Sequence, residues 1–84
     1  MNIMKDFKKI FAGEQQISLI ERETLLDAMV TMNDDKKAGI HTEIMALKIQ
    51  GAIEFLAACG RISEEQEEQL WMMVNEIGTE GDEA

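Results

Sequence analysis

Apolar residues recur along this chain with the 3.6-residue period of a helix, in four separate stretches, and none alternates in-out as a strand does. From residue 2 to residue 12, Ile3, Met4, Phe7, Ile10 and Phe11 fall within about 120° of arc, with Lys5, Lys8 and Lys9 opposite. That predicts a short amphipathic helix, stopped by Gly13. So short a helix is marginal alone in water and must dock. Phe7 and Phe11 are expected to plug one end of a bundle; a dimer contact or a membrane surface are the alternatives.

Ser18 opens a second helix, with Glu21 three residues later completing a capping box. Leu19, Leu25, Leu26, Met29, Val30 and Met32 are its expected apolar face, and Glu23, Asp27 and Thr31 its wet one. Asn33 to His41 reads two ways. Asn33 can cap a further helix with Asp34 and Asp35 in its first turn, or the stretch is a loop broken by Gly39 with Thr42 as the next cap. The cost of about 1 kcal/mol for a glycine inside a helix favours the loop.

Residues 42–59 form the most apolar stretch. Glu43, Gln50 and Glu54 collapse into one seam, while Ile44, Met45, Ile49, Ala52, Ile53, Phe55, Leu56 and Cys59 spread over roughly 200°. Such a helix is expected to be central, covered from more than one side. Gly60 stops it. Ser63 and Gln66 then make a second cap, and Leu70, Met73, Val74 and Ile77 face inward on the last helix with Trp71 at the stripe's edge. Gly78 is the expected end, leaving residues 1–78 as one domain and 79–84 as a disordered acidic tail. Ile17-Ser18, Glu23 and Leu25 recur forty-five positions on as Ile62-Ser63, Glu68 and Leu70. The fold class is therefore all-α: three longer helices and a short N-terminal one, arranged as two helical hairpins.

Composition agrees. A hydrophobic fraction of 45% beside 30% charged residues is that of a globular chain, and proline is absent. The formal net charge of −9 is uneven: residues 62–84 carry eight acidic groups and no lysine or arginine, whereas residues 1–13 are net positive. An acidic surface of this kind repels nucleic acid and anionic membrane and attracts basic protein surfaces. A lone cysteine, no bilayer-length apolar run and no signal-peptide pattern together predict a cytoplasmic protein.

Catalytic and metal-binding patterns are missing. His41 and Cys59 lie at opposite ends of one predicted helix, roughly 27 Å apart, too far to share an ion. There is no glycine-rich phosphate loop, and so small a helical chain struggles to enclose a pocket of the roughly 300 Å³ class. No enzyme, cofactor or metal is expected. A helix-turn-helix DNA-binding regulator is a third and weaker reading: a recognition helix needs basic or amide side chains, the central helix offers only Lys48 and Gln50, and the last helix has no basic residue.

Two features remain. Lys48 sits amid apolar positions and either snorkels outward or pairs with a carboxylate of another helix or subunit. On the last helix, Glu65, Glu68, Met72 and Glu76 fall within about 80°, with Trp71 bordering them. An exposed methionine and a tryptophan beside an acidic stripe form the expected contact site for a basic protein partner. The leading functional expectation is a non-catalytic interaction module that occupies a basic, nucleic-acid-handling surface, as phage or mobile-element anti-defence proteins do. The alternative is a self-assembling helical adaptor. Seven methionines and three broad apolar arcs exceed what one small bundle can hide, which predicts a homodimer.

Overall fold

The structure, a computed structural model, describes residues 2–13 and 15–80. They form four helices, α1 (Ile3–Ile10), α2 (Leu19–Lys37), α3 (Glu43–Ala58) and α4 (Glu64–Glu80), with no strand among the described residues.

Local chemistry sets most of the boundaries. At α2, the Glu21 backbone N–H donates to Ser18 Oγ at 3.1 Å and the Ser18 N–H donates to Glu21 Oε1 at 2.9 Å. Ser63 and Gln66 repeat the pair at α4 with the same two distances. Both boxes satisfy helix-end donors that would otherwise lack partners. At the other ends, Gly39 and Gly60 adopt φ of 80° and 72°. Gly60 N–H donates to the Ala57 carbonyl and Arg61 N–H to that of Leu56, and Gly39 and Ile40 do the same to Lys36 and Asp35. Each is a Schellman closure, which needs the left-handed residue that glycine supplies most readily.

The two capping boxes, forty-five residues apart in the chain, meet in space. Arg61 donates from Nη1 to the Gln16 carbonyl at 3.3 Å and lies 3.8 Å from Glu21 Oε2. Gln66 Nε2 donates to Gln15 Oε1 at 2.7 Å and to the Ile10 carbonyl at 3.2 Å. The end of α1 and the starts of α2 and α4 therefore share one end of the bundle. The result is two antiparallel hairpins, α1–α2 and α3–α4, laid side by side.

Each helix sends one stripe inward: Ile3 and Phe7 from α1, Leu25, Met29 and Met32 from α2, Ile49, Ile53 and Leu56 from α3, and Leu70, Met73, Val74 and Ile77 from α4. Phe7 and Phe11 are both buried, with their rings tilted at 49° and 4.9 Å between centroids. Both α2 and α4 touch all three other helices, whereas α3 packs on α2 and α4 alone. The expectation of a central α3 covered on several sides is thus corrected. Only the arc through Ile49, Ile53 and Leu56 is buried, while Ile44, Phe55, Ala52 and Cys59 are exposed, because no fourth layer exists to cover them.

Four local expectations also change. Asn33 to Lys37 neither cap a new helix nor loop out but continue α2, where Lys36 and Lys37 in the last turn suit the negative helix end. Thr42 holds the N-cap position of α3 but makes no side-chain capping bond. Leu19, expected on the apolar face of α2, is exposed. Gly78 does not stop α4, which runs on through Thr79, whose hydroxyl donates to the Asn75 carbonyl at 2.9 Å. The expected tail thus loses residues 79 and 80 to the helix, and residues 81–84 lie outside the described residues.

The caps differ in one testable respect. Hydrogen bonds from the Ser18 backbone and hydroxyl, aided by the Arg61 guanidinium, hold the Glu21 carboxyl below the usual carboxylate range. A depressed folded pKa stabilises the fold above the unfolded value and loses that contribution as pH falls through the folded one. Gln66 at the equivalent position cannot titrate. Glu21→Gln should therefore lower the thermal midpoint slightly at neutral pH, and the gap to the parent should close below the ordinary carboxylate range. A gap of constant size across that window would refute the assignment.

Candidate partner-binding faces

The outer face of α4 is built by its own periodicity. Because Leu70, Met73, Val74 and Ile77 turn inward, Glu65, Glu68, Met72 and Glu76 turn to solvent, and all four are exposed. Met72 stands 56% exposed between the carboxylates. None of the three glutamates makes an ion pair among the described residues. Trp71 is half-buried and packs against the core about 60° round the helix from Glu68, so the structure gathers four of the five expected residues and leaves Trp71 at the border. Along its other edge the face meets a shallow groove of about 220 Å³ against α1, whose lining adds one acidic and one basic side chain, Asp6 and Lys9, beside Glu76. Glu64 and Glu67 in the first turn of α4 complement the positive helix end.

A second face was only half visible in the sequence. On α3, Ile44, Leu47 and Phe55 are 72%, 67% and 69% exposed and fall within about 80° of one another, opposite the buried stripe. Gly51 lies in the middle of this arc. A Cβ added there meets nothing within 4 Å, so the bundle gives no packing reason for a glycine that costs the helix about 1 kcal/mol. The width of the apolar arc was the available signal; Leu47, diametrically across from the core positions, was not counted in it. Beside this face runs an open groove of about 440 Å³ between α2 and α3, walled by Ile20, Leu25, Ala28, Met45, Ala52 and Phe55. The groove is open to solvent rather than an enclosed cavity. Lys48 stands on its rim, exposed and without an ion-pair partner among the described residues, the snorkelling arrangement.

Among the described residues no three His, Cys, Asp or Glu side chains converge as metal ligands. Cys59, counted in the apolar arc of the central helix, is exposed at the C-cap of α3. No helix among the described residues is long and apolar enough to cross a membrane. Comparison with family models, with curated proteins and with solved structures found no match to the chain.

Proposed function

We propose that this chain is a non-catalytic protein-interaction module whose acidic α4 face occupies a basic surface on a larger protein. The observation that carries the reading is the exposed run of Glu65, Glu68 and Glu76 around Met72, on a helix anchored to the core by four buried side chains and devoid of basic residues. Carboxylates on a rigid helix keep a fixed spacing, which is what competition with a phosphate backbone for a basic surface requires. Where that surface handles nucleic acid, the outcome is inhibition by charge mimicry.

A second reading, a self-assembling helical adaptor, is favoured by the exposed Ile44, Leu47 and Phe55 stripe. Salt separates the two. Capture of partners from the native host by the immobilised chain should yield a basic protein that elutes progressively as ionic strength rises, because exposed charge pairs are screened. Capture that withstands high salt, or that returns only the chain itself, would turn the assignment to the adaptor.

A further inference from the structure

We infer that the exposed face of α3 is a self-recognition surface, on which a second copy of this chain packs its own α3 antiparallel, with the two-fold axis passing at Gly51. The inference is independent of the α4 reading, since it uses a different helix and a different chemistry.

Three observations lead to it. The first is area. A standard interface hides roughly 800 Å² per partner, a little over half of it apolar. Ile44, Leu47 and Phe55, at the exposures given above, present roughly 400 Å², within the 300–600 Å² range of the largest patches on monomers. The stripe thus supplies most of the apolar share of a standard interface from one helix.

The second is Gly51. A glycine inside a helix exposes backbone and invites close approach of another chain. Here it sits in open space at the centre of the apolar arc, where a crossing helix would come nearest.

The third is the arrangement around that glycine, which is self-complementary. In an antiparallel pair centred on Gly51, residues equally far before and after it come to the same height. Ile44 then meets Ala58 of the second copy, large against small, and Leu47 meets Phe55 of the second copy. Lys48 and Phe55 lie on the same flank of α3, so the Lys48 ammonium reaches the ring of the second copy's Phe55 within one residue's rise, about 1.5 Å. An interface of this kind is isologous and closes at two copies.

Charge selects a second copy over a basic partner. The centre of the stripe carries no carboxylate; Glu43 and Glu54 stand at its edge, so a basic protein would find little to pair with. Two chains of net charge −9 repel least through the face that holds none of the excess.

The test is light scattering on the full chain from low micromolar to several hundred micromolar. The parent should approach twice its 9.5 kDa chain mass, and raising the salt should hold or tighten the pair because it screens the repulsion. Gly51→Gln adds bulk in open space and removes the glycine penalty, so it should raise the thermal midpoint of the dilute chain while weakening association at least tenfold. Leu47→Glu and Phe55→Lys, both at exposed positions, should each be monomeric with an unchanged far-ultraviolet spectrum. Mixed together they should pair, because the antiparallel register sets Glu against Lys. A parent that stays at its chain mass throughout overturns the inference and leaves the face to another protein. Dimers that ignore Gly51→Gln and Phe55→Lys overturn it by placing the contact elsewhere, and a mixture that stays monomeric overturns the antiparallel register.

Discussion

Leu70→Ala should remove about 2–5 kcal/mol of folding stability, the usual cost of truncating a fully buried leucine. Leu70 has no exposed surface and sits on α4, which contacts all three other helices, so the cavity would open where the layers meet. A chain of this length has on the order of 5–10 kcal/mol to lose. The variant is therefore expected to be largely destabilised, with its urea midpoint falling sharply at an unchanged slope. Leu56→Ala, on the buried arc of α3, should fall in the same range. Met72→Ala, on the solvent side of α4, should stay within about 0.5 kcal/mol. All three belong at one protein concentration, since self-association would otherwise enter the comparison. Equal losses at Leu70 and Met72 would mean that α4 faces the opposite way.

That contrast between two residues of one helix was legible before any coordinates, and the reason is physical. Where a helix is polar on one side, as α4 is, the period alone decides which side goes in. Leu70, Met73, Val74 and Ile77 could face nowhere else once Glu65, Glu68 and Glu76 claimed the water. The capping boxes at Ser18 and Ser63 were legible for a related reason: they close within four residues and need no tertiary partner. Even their spatial pairing was hinted at by the repeat of Ile17-Ser18 as Ile62-Ser63, two buried isoleucines each preceding a capping serine.

Legibility failed on α3. Its apolar residues surround most of the helix, and period alone cannot say whether a second apolar arc meets the core, another chain or water. Ile44 and Phe55 were assigned to the same covered surface as Ile49 and Ile53; α2 and α4 cover only the latter pair, and α1 is too short and lies on the far side. The helix ends at Lys37 and Glu80 escaped for a smaller reason. A glycine or an asparagine lowers helix preference by about 1 kcal/mol or less, and neighbouring residues outweigh that when the next turn is satisfied. Gly39 stops α2 because a Schellman closure forms there, whereas Thr79 finds the Asn75 carbonyl and carries α4 past Gly78.

If the α4 face engages a basic protein, the joint reversal Glu65→Lys, Glu68→Lys and Glu76→Lys should abolish that association and leave the bundle folded. Each reversal adds two charges, so the formal net charge moves from −9 to −3, and residues 62–84 fall from −8 to −2. The three side chains are exposed and lack ion-pair partners among the described residues, so the melting transition should shift little. Binding should respond strongly, because lysines on a fixed helix turn attraction into repulsion at the same spacing. Loss should appear first in the association rate, which long-range charge governs, and the gap between parent and variant should narrow at high ionic strength. Removing residues 81–84, which carry only Asp82 and Glu83, should matter less. Met72→Ala should act through the dissociation rate instead, since an apolar contact contributes after the encounter. Equal binding by the triple reversal and the parent would reduce the acidic face to a solubility device, and the apolar α3 stripe would become the functional surface.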